Sequence, residues 1–119
     1  GMVYDWPEVA EITAIFGAQH LPELFSVEIP ESGALGGLLR CGDVITCSRK
    51  VRPAPGDGVL IRYLRRIACG YFWPGADAGA WHVKLSAGTI LTFARDSDAL
   101  LATIIGLPTM RLSRLSRLR

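Results

Sequence analysis

The feature that most constrains this chain is a series of short β-rich runs that begins at Phe25 and continues almost to the C-terminus. Within each run, apolar residues alternate with polar ones, or β-branched and aromatic residues cluster, and both patterns are typical of strands in a sheet. Segments rich in proline and glycine, of which 53–58 and 74–79 are the clearest, separate most of the runs as turns. We therefore predict strands over residues 25–29, 44–48, 59–63, 67–73, 81–85, 89–93 and 100–105.

A single short helix is predicted ahead of the strands, over residues 6–16. Asp5 can cap it, Pro7 suits its first turn, and Glu8 completes the spacing of a capping box. Apolar residues then recur at helical spacing until Gly17, which can end the helix. The expected fold class is mainly β, with one short N-terminal helix.

The length of the chain sets its domain organisation. Its 119 residues leave room for one domain, and the 50% of residues that are apolar can form a substantial core. We divide the chain into an N-terminal arm with the short helix (residues 1–24), a β domain (25–109) and a basic tail (110–119).

Several function classes are disfavoured by what the sequence lacks. The longest apolar stretch, 99–107, is much shorter than the ~20 residues of a membrane-spanning helix, and no signal-like leader opens the chain. Cys41, Cys47 and Cys69 are odd in number and lack CxxC spacing, which disfavours a disulfide framework or a zinc site. No glycine-rich phosphate loop is present. We expect a cytoplasmic protein without membrane association and without a metal or other cofactor.

The formal charge of +2 is small, but arginines concentrate in the tail. Arg111, Arg114, Arg117 and Arg119 alternate there with leucines at a spacing of about three residues. The tail is either a solvated chain end or an arm that binds phosphates or an acidic partner. We expect weak polyanion binding through these four arginines.

Several segments, in a fixed order, carry a resemblance to a known family. Their order and spacing matter more than any single one, because Gly-Asp before a β run is a common turn. The segments are Phe25-Ser26-Val27-Glu28-Ile29-Pro30-Glu31-Ser32, Gly36-Gly37-Leu38, Gly42-Asp43-Val44-Ile45, Pro55-Gly56-Asp57-Gly58-Val59-Leu60-Ile61, His82-Val83-Lys84-Leu85, Gly88-Thr89-Ile90-Leu91, Arg95-Asp96-Ser97-Asp98 and Ala102-Thr103-Ile104-Ile105-Gly106-Leu107. Together they resemble the C-terminal peptidase domain of LexA-like repressors, UmuD and phage repressors.

The resemblance implies a compact, strongly bent β fold of the LexA and signal-peptidase type, which is often dimeric. It also implies a serine on one turn that faces a lysine on a neighbouring strand, and Ser32 and Lys84 are the matching catalytic residues. A serine hydroxyl is a weak nucleophile until a base takes its proton. A lysine serves as that base only when burial lowers its pKa.

The lysine match leaves two alternatives open. The resemblance puts the lysine on the strand that follows the Val59 strand, and about a dozen extra residues separate Lys84 from that position. Without such an insertion, the lysine position falls near Gly70 and the base is missing. His82 lies two residues before Lys84, so a strand would put both side chains on one face.

The serine match departs from the family pattern as well. Gly33 follows Ser32 where the family has methionine, and no Ala-Gly or Cys-Gly bond precedes Ser32 as a cleavage site. The serine spacing common in phage repressors, counted back from Asp43, falls on Ala34. These departures weigh against preserved catalysis.

Three functions therefore remain open. The departures favour a catalytically degenerate peptidase-type domain that acts in regulation as a homodimer or by binding a regulatory protein partner. The alternative is an active serine-lysine peptidase, including self-processing, that uses Ser32 and Lys84. A weaker alternative is a small nucleic-acid-binding β domain that uses the tail and the aromatic residues Tyr71, Trp73 and Trp81. Packing of these rings across neighbouring strands is the simpler interpretation.

Overall fold

The computed structural model describes residues 3–30, 33–76, 79–95, 97 and 99–107, and these residues form a mainly β fold. The elements are β1 (Val3–Tyr4), α1 (Trp6–Ile15), a 3-10 turn (Ala18–His20), β2 (Leu24–Glu28), β3 (Val44–Ser48), β4 (Gly58–Tyr63), β5 (Arg66–Pro74), β6 (Trp81–Lys84), β7 (Ile90–Phe93) and β8 (Leu100–Gly106). The predicted helix and the seven predicted strands are confirmed, and each predicted bound differs from the observed one by at most one residue. The two-residue β1 was not predicted, because it is too short for a periodic pattern.

The strands form one sheet in the order β1-β2-β3-β8-β4-β5-β6-β7. Neighbours are antiparallel except β1 and β2, which are parallel. β8 lies between β3 and β4, and its pairing shifts register between Thr46 and Cys47 on one side and between Leu60 and Ile61 on the other. Such irregularities bend and twist a sheet locally.

The bent sheet has two cores, one on each face. On β4, Leu60 packs into the first core, whereas Val59 and Ile61 pack into the second, because successive side chains of a strand point to opposite faces. The first core consists of Val9, Leu21, Phe25, Val27, Ile29, Leu35, Leu39, Ile45, Cys47, Leu60, Ile67, Cys69 and Ala102. The second core consists of Val59, Ile61, Trp81, Val83 and Ala99.

The helix α1 is capped as predicted and is fixed to the sheet at both ends. Asp5 Oδ1 accepts from the Glu8 backbone N–H at 2.7 Å, and Glu8 Oε2 accepts from the Asp5 N–H at 2.8 Å, which completes a capping box. At the start of the helix, the Trp6 indole Nε1–H donates to the Ile67 carbonyl on β5 at 2.8 Å. Near its end, Arg62 Nη1 on β4 donates to the Thr13 carbonyl at 2.7 Å. Within the described residues, no helix is both long and apolar enough to cross a membrane.

Candidate functional site

The site that the resemblance predicts begins at the loop after β2. Ser32, its predicted nucleophile, lies outside the described residues, but Pro30 and Gly33 on either side of it are described. Both line a groove of about 650 Å³ on the side of the sheet that carries α1. The groove therefore borders the position at which the resemblance expects a nucleophile.

Four segments of the chain build this groove. They are the start of α1, the loop after β2, the first half of β5 with the turn before it, and the turn after β6. Its lining residues include Trp6, Ile29, Pro30, Ala34, Ile67 and Cys69, together with the exposed residues Arg65, Arg66, Ser86 and Ala87. Most of the lining is apolar, and the charged side chains among these residues are both basic.

The loop wall of the groove is held by hydrogen bonds to the sheet. The Tyr71 hydroxyl on β5 donates to the Leu35 carbonyl at 2.9 Å, and the Gly36 N–H donates to Ser86 Oγ at 3.4 Å. Leu35 has a φ of 53°, which is unfavourable for a leucine, but its side chain is only 3% exposed in the first core. Burial of this side chain offsets the backbone strain and fixes the loop beside β5.

Lys84, the predicted base, lies on β6 opposite Tyr71 of β5 and Ile90 of β7. Its side chain is exposed and lines a separate depression of about 370 Å³ together with Trp73, His82, Ile90 and Thr92, which we call the outer hollow. His82 shares this face, as predicted, and its Nδ1 lies 2.9 Å from Thr92 Oγ1. Lys84 is not among the residues that line the groove.

The strand that follows β4 is β5, because a two-residue turn joins them and Tyr63 pairs with Arg66. On β5, the side chain that faces the groove close to Gly70 is that of Cys69. At Gly70 itself a Cβ atom would lie 2.5 Å from Val83 Cγ1 and 2.8 Å from the Lys84 carbonyl oxygen, so no side chain fits there. The β5 wall therefore presents a thiol rather than an amine.

The Cys69 thiol is poorly suited to act as a nucleophile. Burial raises its pKa well above the usual range of a thiol, and the neighbouring Cys47 raises it further. Burial likewise raises the pKa of Cys47 to about 12. Because the thiolate is the reactive form of cysteine, both side chains act as small apolar core residues.

The first Gly-Asp segment of the resemblance forms a turn that leads into β3. The Asp43 N–H donates to the Arg40 carbonyl at 3.0 Å, and the Arg40 N–H donates back to Asp43 Oδ2 at 2.9 Å. Gly42, at the third position, has a φ of 87°, as a type II turn requires. The turn is fastened to the end of β2, because Gly42 N–H donates to the Ile29 carbonyl and Ile29 N–H donates to the Asp43 carbonyl.

The second Gly-Asp segment repeats this arrangement ahead of β4. The Asp57 N–H donates to the Ala54 carbonyl at 3.0 Å, and the Ala54 N–H donates to Asp57 Oδ2 at 2.8 Å. Gly56 has a φ of 85°. This turn is fastened to β5, because the Gly56 N–H donates to the Phe72 carbonyl and the Phe72 N–H donates to the Asp57 carbonyl. The two Gly-Asp segments are therefore one turn used twice, and the local structure explains both without any role in catalysis.

Among the predicted aromatic residues of the β5–β6 hairpin, Tyr71 and Trp73 lie on one face of β5, and Trp81 lies on the other face. Trp81 stacks on Phe93 with ring centroids 4.3 Å apart and packs near Phe72 in the second core, so the prediction of packing across strands is confirmed for this ring. The Tyr71 ring packs against the first core, while Trp73 is 47% exposed in the outer hollow. An exposed stacking platform would thus be limited to Trp73.

Trp6 and Ser86 line the groove although nothing in the sequence pattern indicated it. They lie 80 positions apart in the chain, and only the sheet order brings α1 and the turn after β6 to the same side of β5. Among the residues that the structure describes, no group of three histidine, cysteine or acidic side chains could hold a metal ion. The four arginines of the tail lie outside the described residues.

Comparison with known proteins adds no relative. No protein-family model matches this sequence, and no curated protein matches it.

Proposed function

We propose that this chain is a LexA-like peptidase-type domain that has lost catalysis and acts in regulation by binding protein, through the groove and through self-association. One observation carries the proposal: the β5 wall of the groove presents Cys69, next to Gly70, at the position where the resemblance without an insertion expects a lysine. The groove thus keeps the shape of a binding site without a base on that strand.

The groove fits an extended protein segment. Its volume of about 650 Å³ and its apolar lining suit a few apolar side chains. Arg65 and Arg66, which also line the groove, can pair with carboxylates. A segment with small apolar residues followed by an acidic residue matches both properties.

An active serine-lysine peptidase is the alternative. It needs the Lys84 amine within roughly 2.6–3.2 Å of the Ser32 hydroxyl, and it needs the lysine to be buried. Lys84 is exposed on β6, which supports the degenerate function instead.

The decisive experiment incubates the pure protein at pH 7 to 10 with a labelled peptide that contains an Ala-Gly bond followed by acidic residues. We expect binding by fluorescence anisotropy and no cleavage by mass spectrometry. Cleavage by the unmodified chain that is lost in both Ser32→Ala and Lys84→Ala would overturn the proposal.

A matched pair of variants locates the binding. Ala87 is exposed and lines the groove, whereas Ala76 is exposed in the turn after β5 and does not line the groove. Ala87→Trp should obstruct the groove and weaken peptide binding about tenfold or more, while Ala76→Trp should leave it unchanged. Equal affinity in both variants would show that the peptide binds elsewhere.

A further inference from the structure

The outer edge of β7 is open in the part of the chain that the structure describes. β7 is the last strand in the sheet order and pairs with β6 alone. The Leu85 N–H donates to the Thr89 carbonyl, and Lys84 pairs with Ile90 in the next register position. Because antiparallel pairs alternate between hydrogen-bonded and non-hydrogen-bonded, Ile90 and Thr92 direct their N–H and carbonyl groups away from β6.

This edge lacks most of the features with which proteins protect an exposed strand, although β7 itself is only four residues long. Edges are usually guarded by charged side chains, proline or a bulge, or they are very short. The segment 86–94 contains no charged residue and no proline, and its pairing with β6 is regular. The opposite edge of the sheet, β1, is only two residues long and is followed closely by Asp5 and Pro7.

Apolar side chains lie exposed on one face of this edge and half-buried on the other. On the face that carries the outer hollow, Ile90 is 62% exposed and lies beside Trp73, which is 47% exposed. On the opposite face, Leu91 and Phe93 pack at the margin of the second core and remain half-buried. An added strand would cover apolar surface on both faces while it satisfies the backbone groups of Ile90 and Thr92.

We propose that the occupant of this edge is β7 of a second copy, paired antiparallel across a twofold axis. The twofold axis is perpendicular to the sheet and passes beside Leu91, so Leu91 lies opposite Leu91 of the partner subunit. In this arrangement, paired residues point to the same face of the sheet. Ile90 then lies opposite Thr92 of the partner subunit, which matches the two residues whose backbone groups point outward. The pairing brings no charged residue against another, because 86–94 has none.

This inference rests on the self-association part of the proposed function and is independent of the groove. A peptide that fails to bind the groove would leave the β7 pairing intact. A chain that stays monomeric would remove the β7 pairing and leave peptide binding in the groove untouched.

The first test measures oligomeric state by sedimentation over a concentration series of the full chain. We expect a reversible dimer for the unmodified chain and for Ile90→Val, which keeps the outward N–H. Ile90→Pro removes that N–H without touching the ladder to β6, as proline on an edge strand allows. Loss of two hydrogen bonds per dimer should weaken dimerisation about thirtyfold.

Two further variants keep the test decisive if Ile90→Pro does not fold. Thr92→Lys adds a charge at the exposed edge and should also weaken the dimer. In a Cys41→Ser background, Leu91→Cys should form an intermolecular disulfide, because the two Cα atoms across the axis lie about 4.5 Å apart. Thr92→Cys is the matched control and should not crosslink. In the proposed register, residue 92 lies opposite Ile90 of the partner subunit, so the two copies of residue 92 are too far apart for a disulfide.

Three results would overturn the proposal. They are a monomer at every concentration, a dimer of equal strength in Ile90→Val and a folded Ile90→Pro, and crosslinking through Thr92→Cys in preference to Leu91→Cys. Equal dimerisation in the two variants would assign the dimer to another surface, and preferential crosslinking through Thr92→Cys would assign it to another register.

Discussion

At the scale of single residues, the two Gly-Asp turns show the same hydrogen bonds at different depths. Asp43 is 1% exposed, whereas Asp57 is only half-buried. Each carboxylate accepts a hydrogen bond from the backbone N–H three residues earlier. The energetic value of the same motif should therefore depend on burial.

We expect Asp43→Ala to lower the free energy of unfolding by about 1–3 kcal/mol, because it leaves a partly buried N–H of Arg40 without its acceptor. Asp57→Ala should cost about 0.5–1 kcal/mol, because water can replace the lost carboxylate there. Asp43→Asn keeps an acceptor oxygen, so its loss in the free energy of unfolding should lie between the losses for Asp43→Ala and Asp57→Ala. Urea unfolding monitored by tryptophan fluorescence measures all three, and an equal loss at both positions would contradict the role of burial.

The thiols provide a prediction on pH. Burial raises the pKa of Cys47 from 9.0 to about 12, so the unfolded chain loses its thiol proton at lower pH than the folded chain. The stability that this neutral thiol contributes is fully present below pH 9 and is lost as pH rises toward about 12. The loss can reach about 1.4 kcal/mol per pH unit. Unfolding at pH 8, 9.5 and 10.5 should show a shallower decline in Cys47→Ala than in the unmodified chain.

A thiol reagent provides the matching control at pH 8. Cys41 is exposed and Cys47 and Cys69 are buried, so one thiol should react in the folded protein and three after denaturation. Rapid reaction of all three in the folded protein would contradict the packing of the first core.

At the scale of elements, the β4–β5 hairpin has an unusual turn. Its two central residues, Leu64 and Arg65, have φ angles of 47° and 61°, a conformation that favours asparagine and glycine. The Leu64 side chain is 81% exposed, so packing does not offset this strain. The register of Tyr63 with Arg66 shows that pairing along the strands imposes the turn.

Replacing this pair by Leu64→Asn with Arg65→Gly should raise stability by about 1 kcal/mol or more, because both new residues tolerate a positive φ. Leu64→Ala is the control, since it removes the exposed side chain but keeps the strained backbone, and it should change stability by less than about 0.5 kcal/mol. Thermal unfolding measures the difference. If Leu64→Asn with Arg65→Gly lowered stability instead, the side chains of Leu64 and Arg65 would make stabilising contacts that outweigh the backbone strain.

At the scale of the whole molecule, β8 joins the two halves of the sheet. It pairs with β3 on one side and with β4 on the other, so both cores depend on the last described strand. The tail beyond it carries Arg111, Arg114, Arg117 and Arg119. Its binding properties can therefore be tested by truncation that leaves β8 in place.

We expect the full chain to bind duplex DNA weakly and without sequence preference. With four tail arginines as the upper number of phosphate contacts, the logarithm of affinity should fall with log salt at a slope no steeper than about −3.6. Truncation after Pro108 should remove most of this binding, and the Arg65→Ala, Arg66→Ala pair serves as the control outside the tail. Unchanged binding after truncation would rule out the tail as the contact.

The sequence by itself determined the local elements of this protein. Alternation over 25–29 predicted a strand with every second side chain in a core, and the β-rich apolar run at 59–63 predicted another strand. The capping pattern at Asp5 and Glu8 predicted the start of α1, and the glycines before Asp43 and Asp57 predicted turns. Each of these patterns can be recognised within a few consecutive residues of the chain.

Only the tertiary structure decided which elements are neighbours, and with that the composition of the candidate site. The sequence left two positions open for the lysine of the resemblance, because it does not show which strand faces the groove. The sheet order puts Cys69 of β5 in the groove and Lys84 of β6 in the outer hollow. Within the described residues, the sheet order also leaves the edge of β7 open. Strand order follows from the burial of side chains that are far apart in the chain, and no local pattern encodes that choice.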